Sequence, residues 1–499
     1  MISFGNEITL SAVDLCRNWQ VSGRQGSGKS TLLASAVLDC IGRGVGLTLL
    51  DPWGQTVDMV LEAIPEEYAG KVRVIRLGRT QDPVPLSLWA GIDPAARRDM
   101  NRALSKVLCP EDPWHGPGST GPDWETWFTA LAEASVILFG DRASLDTIAL
   151  LGSRTDLMAE AASILEKDHA DTARALRSFL GMRCRDYVQF RMWAEEPIRS
   201  VLKVPHWKTD LGLGENVLRH DTLSADTVTL IDLGGKIVGC DRAGKMGGLL
   251  LLYLLYAAES GKANAPHLVM ADDVELIPHV AVTAFLESGG RRGLGLILAG
   301  DRLSPGLQES AERYCWSYTA LNQTLSAAAA AAKRLGDPGY ESRLCRLDAG
   351  KGYSVLRCGG RMSEITSTAS ELPARESGEP FGTRIEAHSR QLLSEPWRET
   401  APLSCERAAE LILHAKDPAW LSRGRAGADD ASWPEVKRGS WVEKWVRYRL
   451  TDKKPGKQNP DEFDEPLQET PSVADWDSVD SMDEDLIWMD DQALDKEEW

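Results

Sequence analysis

With 499 residues, a net charge of −18 and 43% apolar side chains, the chain is long enough for two or three domains around a substantial core. Its nine cysteines are scattered without a C-x-x-C pair, which argues against a zinc ribbon and a disulfide framework. The amino terminus carries no basic stretch followed by an apolar segment, and the richest apolar run, residues 249–258, is too short to span a bilayer, so a cytoplasmic protein is expected. The acidity is local: residues 461–499 hold 16 acids and one lysine, or −15, which leaves −3 on residues 1–460. An acidic pI therefore does not argue against a basic channel in the body of the chain.

A short strand at Trp19, Gln20 and Val21 leads into VSGRQGSGKST, with a helix predicted from Thr31 through Gly42 on the spacing of Leu32, Leu33, Ala36, Val37 and Cys40. Strand, glycine turn and helix in that order make Gly23-x-x-x-x-Gly28-Lys29-Ser30 a P-loop, whose backbone N–H groups wrap nucleotide phosphates. Gly23, Gly26, Ser27, Gly28, Lys29, Ser30 and Thr31 are the expected nucleotide-binding residues. Lys29 adds a cation to the phosphates, Ser30 places its hydroxyl on Mg²⁺, and the helix points its positive end at the anion.

VGLTLLD (45–51) reads as a buried strand ending at an acid and KVRVIRL (71–77) as another. Residues 94–219 change character to successive helical periodicities, a helical insertion that contains a Pro/Gly-rich loop at 110–123. The sheet resumes with 226–234, a helix from about Gly244 to Ser260, then PHLVMADD (266–273), a helix over VAVTAFLESGG, RRGLGLILAGD (291–301), residues 312–322, an Ala-rich helix (326–335) and GKGYSVLRC (350–358). The predicted fold is α/β, a RecA-like doubly wound, mainly parallel sheet interrupted by the insertion. The expected division is 1–93 and 220–371 for the two parts of the core, 94–219 for the insertion, 372–460 for an extension with one short helix near 404–415, and 461–499 for a disordered acidic tail.

A phosphate-cleaving site needs a second carboxylate at the end of a neighbouring strand to complete the Mg²⁺ shell, and commonly another acid to polarise water. Asp272, after four largely apolar residues, is the expected metal-side acid, and Asp273 stands where a longer glutamate would act as base, with Glu275 a weaker alternative. Arg291 and Arg292 before the next strand read equally as a solvated turn or as arginines that stabilise charge on a γ-phosphate.

Taken in order, ITLSAVDLCRNWQVSGRQGSGKSTLL, LTLLDPWGQTVDMVLEAIPEE, VTLIDLGGKIVGCDRAGKMGGLLLL and SGGRRGLGLILAGDRLSPGL resemble the HerA–FtsK branch of P-loop ATPases, within it the TraD/TraG-type conjugative coupling ATPases and their soluble HerA-like relatives, over roughly residues 7–370. The chain departs from that pattern: Trp53 and Gln55 replace a histidine and an acid, Asp273 a glutamate, and Gly300-Asp301 an asparagine-glutamine pair. Binding of nucleotide tolerates these changes; hydrolysis and its coupling to movement are the steps they touch. With about twenty residues ahead of the P-loop, neither the membrane helices of coupling proteins nor the β-barrel of HerA proteins is expected. The resemblance implies a homohexameric motor using ATP and Mg²⁺, with Arg291 or Arg292 reaching a neighbour's nucleotide and pore loops gripping DNA phosphates without regard to sequence. Lys236, Arg242 and Lys245 are the basic residues expected at that pore.

Near the carboxyl end, residues 437–457 carry eight basic and two acidic residues with Trp441, Trp445 and Tyr448 at helical spacing. They suit either stacking on nucleic-acid bases or docking on the protein's own core. The acidic tail mixes its charge with Trp476, Leu486, Ile487, Trp488, Met489 and Trp499, a composition suited to recognition by a protein partner.

Overall fold

A computed structural model of the chain describes residues 2–4, 8–10, 14, 16–77, 83–109, 124–204, 206–219, 227–260, 266–356, 361–366, 381–394 and 401–415. All described residues belong to the compact unit Met1–Pro434. The Pro/Gly-rich loop, the basic aromatic segment and the acidic tail lie outside the described residues.

Two short strands, β1 (Ile2–Phe4) and β2 (Ile8–Leu10), pair as an antiparallel hairpin ahead of the main sheet. That sheet has nine strands: β3 (Asn18–Ser22), β4 (Leu47–Asp51), β5 (Val72–Arg76), β6 (Val228–Asp232), β7 (His267–Ala271), β8 (Leu294–Gly300), β9 (Cys315–Ala320), β10 (Lys351–Leu356) and β11 (Arg361–Thr366). Their spatial order is β11-β10-β9-β3-β8-β7-β4-β6-β5, with β9 through β5 mutually parallel and β10 and β11 added antiparallel at one edge. The strand β8 therefore lies between the P-loop strand β3 and β7, pairing Trp19 with Ile297 on one side and Met270 with Ile297 on the other. Strands β3, β4, β6, β7 and β8 are buried along their whole length, which is why β4, β6, β7 and β8 run largely apolar on both faces; β3 instead alternates buried Asn18, Gln20 and Ser22 with Trp19 and Val21.

Helices cover both faces. The P-loop helix Lys29–Arg43 and the helix Gln55–Ala63 pack on one, in a core that includes Val21, Leu49, Val74 and Ile297. On the other lie Cys240–Ser260 and His279–Ser288, and through them the helical block. That block runs Pro94–Leu108, Trp124–Phe139, Leu145–Ser153, Thr155–Leu165, Ala170–Leu180, Cys184–Ala194, Glu196–Leu202 and Trp207–Asp210. Its own centre is aromatic, with Trp124, Trp127, Phe128 and Phe190 in ring contact, yet its apolar residues form one continuous cluster with those of the sheet face. Among the described residues no helix is long and apolar enough to cross a membrane.

The sequence reading differs from the fold in several places, the first being the β1–β2 hairpin, which that reading does not contain. The helix expected from Gly244 begins at Cys240. Strand β11 and the helix Phe381–Leu393 were not predicted, and the latter lies over the β5 edge, where Ser389 Oγ accepts the Val74 N–H at 3.0 Å and Ile385 is buried. A short helix near 404–415 is found as Cys405–Leu413.

Candidate nucleotide site

At the end of β3 the chain turns sharply and is pinned by its neighbours before the helix begins. Gly23 N–H donates to Gly300 O at 3.3 Å and Arg24 N–H to Asn322 O at 2.8 Å, so the first half of the loop hangs from the ends of β8 and β9. Gly28 has φ +97°, and a Cβ there would lie 2.8 Å from Gly350 N, the same N–H that donates to Ser27 O at 2.8 Å. Only glycine fits both the backbone angle and this approach of the turn that precedes β10. The helix that follows starts at Lys29 with no side-chain cap and no acid in its first turn, so its leading N–H groups are presented to an anion.

Lys29 is buried, and its Nζ donates to the carbonyls of Gly23 at 2.8 Å and Arg24 at 3.3 Å. Among the described residues no carboxylate lies within ion-pair distance of it. A buried ammonium held only by carbonyls, in a glycine cradle at an uncapped helix end, is suited to a polyphosphate. Ser27 Oγ lies buried beneath the loop without a hydrogen-bond partner, and Ser30 and Thr31 follow Lys29 half-buried.

Facing the loop, the ends of the parallel strands gather carboxylates. Asp272 follows β7, is buried, and accepts from Thr56 Oγ1 at 2.6 Å and from the Asp273 N–H at 3.0 Å. Asp273 sits at φ +40°, a left-handed conformation that aspartate and asparagine tolerate better than longer side chains. That backbone angle is a physical reason for an aspartate where related sites carry a glutamate. Burial first, then the charges of Asp272 and Glu275, push the Asp273 carboxyl up to about 6, while Lys29 acts in the opposite sense. Burial also raises Glu275, which lies close enough to Lys29 for that charge to oppose the shift, and whose Oε1 accepts the Asp301 N–H at 3.1 Å.

Asp51 closes β4. Its carboxylate accepts three N–H groups, from Trp53 at 3.0 Å, Gly54 at 2.8 Å and Val57 at 3.0 Å. Burial pushes it up to about 7 against those donors, with the Asp272 charge adding to the rise. Asp232, at the end of β6, packs on Gly54 so closely that a Cβ at Gly54 would lie 2.4 Å from Asp232 Oδ2. Arg76 NH1 donates to that same Asp232 oxygen at 3.1 Å. Among the described residues no three His, Cys, Asp or Glu side chains converge to hold a metal ion by themselves. A Mg²⁺ bound through one or two protein groups and substrate phosphates needs no such cage.

The structure thus brings Gly23–Thr31, Asp272 and Asp273 to the carboxyl ends of the central strands, but it does not bring Arg291 and Arg292 there. Both precede β8 in a short turn, Gly289–Arg292, at the opposite end of that strand from Gly300, about 20 Å away for a strand of this length. Arg292 is engaged locally, donating to Glu259 at 2.6 Å and lying over the Tyr256 ring. Arg291 is exposed. Of the basic residues near the start of the Cys240–Ser260 helix, Lys236 and Arg242 are exposed and Lys245 reaches Ser200 Oγ at 3.4 Å. Three participants were not legible in the sequence. Thr56 meets a partner 216 residues away, Asn322 accepts for the P-loop, and the Gly350 turn closes on it.

The strand order, with β8 between the P-loop strand and the carboxylate strand, and the Gly23–Thr31 cradle define the RecA-like fold of P-loop ATPases. Solved structures with this fold include the conjugative coupling protein TrwB. The chain matches TrwB in complex with the non-hydrolysable ATP analogue ADPNP at TM-score 0.55 and 12% identity, over 76% of this chain and 91% of that one. It matches TrwBΔN70 with sulphate at 0.53 and 12%, over 72% and 88%, and TrwB with ADP and Mg²⁺ at 0.50 and 12%, also over 72% and 88%. No family model matches the chain, and no curated protein matches it. At these identities the likeness is one of fold alone.

Proposed function

We propose that the chain is a cytoplasmic ATPase that moves DNA in a conjugative or related DNA-processing system, working as a homohexameric ring. The observation that carries this reading is the buried Lys29, hydrogen-bonded to loop carbonyls in its glycine cradle, with the Asp272 and Asp273 strand end across from it on a coupling-protein fold. Bound ATP–Mg²⁺ supplies the scissile anhydride and its neutralising cation. The backbone of Gly23–Gly28 and Lys29 bind the phosphates, Ser30 and Asp272 hold the cation's shell, and Asp273 takes the proton of the attacking water. Arg291 and Arg292 cannot reach the phosphates of their own subunit across the length of β8, so they serve the site of a neighbour; Arg291, exposed, is the better placed of the two. Lys236 and Arg242 face solvent for contact with DNA phosphates. The acidic tail recruits a protein partner.

A second reading, a nucleotide-binding assembly subunit with weak hydrolysis, draws on the short Asp273 and its raised carboxyl; a secretion ATPase acting on protein is a third. Steady-state ATP hydrolysis with and without DNA separates them. DNA-stimulated turnover is the result expected of a DNA motor. Negligible turnover with intact ATP binding overturns it in favour of the assembly subunit, and turnover indifferent to DNA in favour of the secretion ATPase.

A further inference from the structure

We propose that Thr56 is the positioning residue of the metal-side carboxylate: its hydroxyl, delivered by the Asp51 turn, holds Asp272 in the orientation that Mg²⁺ requires. The inference deepens the ATP–Mg²⁺ reading of the same site and rests on it.

Thr56 is the second residue of the helix Gln55–Ala63 and is fully buried. A threonine at such a position ordinarily bonds its hydroxyl to nearby backbone. Here Oγ1 donates across to Asp272 Oδ2 at 2.6 Å, the separation of a hydroxyl bonded to an ionised carboxylate. The remaining Asp272 oxygen accepts the Asp273 N–H, so the carboxylate is fixed from two sides, by the next residue's backbone and by a hydroxyl 216 residues away in sequence.

What aims the hydroxyl is the turn between β4 and the helix. Asp51 gathers the N–H groups of Trp53, Gly54 and Val57 onto one carboxylate, and Asp58 N–H donates back to Gly54 O at 3.1 Å. Gly54, at φ +74° and packed against Asp232, fixes where the helix starts. Strand pairing sets the other half, because Asp272 N–H donates to Leu50 O at 3.1 Å. Helix start and strand end are thereby held in register, with the Thr56 hydroxyl between them. A carboxylate that must accept cation-bound water in one orientation loses affinity when it can rotate.

The test uses the full chain and the fluorescent analogue mant-ATP, titrated with Mg²⁺ from EDTA. Thr56→Val keeps the shape and removes the donor. It is expected to leave Mg²⁺-free binding unchanged and to raise the Mg²⁺ midpoint about tenfold, the worth of one hydrogen bond to a charged group. Thr56→Ser should restore the midpoint. In a double-mutant cycle, Thr56→Val should add nothing once Asp272→Asn is present, whereas a packing role would add its loss in either background. A wild-type midpoint in Thr56→Val, or additive losses, overturns the assignment of Thr56. If Thr56→Val does not fold, Thr56→Cys decides: a thiol is a weak donor, so it should raise the midpoint while serine does not, and equal midpoints overturn the proposal. A wild-type protein that binds no mant-ATP at any Mg²⁺ concentration overturns the underlying nucleotide reading, and Thr56's role with it.

Discussion

Asp273→Asn separates the charge of this residue from its backbone. A carboxyl raised from the ordinary 3.8 to about 6 binds its proton more tightly in the folded chain than in the unfolded one. Ionised Asp273 therefore costs stability: the cost is absent below about pH 4, develops as pH rises to about 6, and is complete above it. Taken at face value the difference corresponds to about 3 kcal/mol, and to about 1–2 kcal/mol once the solvent contact of a half-buried group is allowed for. Asparagine keeps the left-handed backbone without strain and removes the charge. Apo Asp273→Asn should accordingly melt about 1–2 °C above wild type at pH 7.5 in a chain of this size, and equal to it near pH 4. Scanning calorimetry across that pH range, without nucleotide, is the assay. A gain of the same size at pH 4 and pH 7.5 would refute the electrostatic account and leave backbone relief as the cause. In single-turnover hydrolysis the same variant should bind ATP normally and lose about 10²–10⁴-fold in rate, the range for a missing general base; an unchanged rate would move that role to Glu275.

Lys29→Ala should abolish ATP binding, measured by mant-ATP fluorescence in a folded variant, because it removes the buried cation that the Gly23 and Arg24 carbonyls hold at the cradle; retained affinity would contradict the P-loop assignment. Arg291→Ala, inactive alone, should regain activity when mixed with Lys29→Ala subunits, at interfaces pairing an intact cradle with an intact arginine. A protein that stays monomeric with ATP while hydrolysing at full rate would contradict the ring.

How much of this was legible in the sequence depends on the range of each interaction. The P-loop could be read because its requirements are local: glycines for a left-handed turn, then Lys29 and Ser30 on the next helix. Strands β4 and β7 could be read because burial on both faces leaves largely apolar runs, broken in β4 only by Thr48, that stop at Asp51 and Asp272. Thr56 could not, since nothing in QTVDMVLEA distinguishes a threonine that reaches another strand from one that caps its own helix. The Phe381–Leu393 helix was missed for a related reason. Its polar residues look solvent-facing until Ser389 meets the free N–H of an edge strand and Glu386 meets Arg76. The start at Cys240 was missed because glycines in the first turns read as loop, although Gly244, Gly247 and Gly248 are buried in the packed helix.

Arg76 shows how the outer edge of the sheet supports the site. Its guanidinium donates to Glu386 through Nε at 2.7 Å, to Asp58 at 2.7 Å and to Asp232 at 3.1 Å. It therefore joins the Phe381–Leu393 helix and the Gln55–Ala63 helix to the carboxylate that packs on Gly54. Of the three acids Asp232 is wholly buried, while Asp58 and Glu386 keep solvent contact. The energetics should follow that burial. Glu386→Gln trims a partly exposed pair and should cost about 1 kcal/mol or less. Arg76→Met removes the guanidinium from a buried carboxylate and should cost about 3–5 kcal/mol. Most of that cost would be the buried charge of Asp232 left without its guanidinium, though still accepting the Gly234 N–H at 2.9 Å, not the loss of arginine packing, so Arg76→Met combined with Asp232→Asn should recover a large part of it. Thermal denaturation of the three variants measures the differences. A double variant no more stable than Arg76→Met alone would show that packing, and not the buried charge, is what Arg76 supplies, and would remove the electrostatic link between the sheet edge and the Gly54 turn.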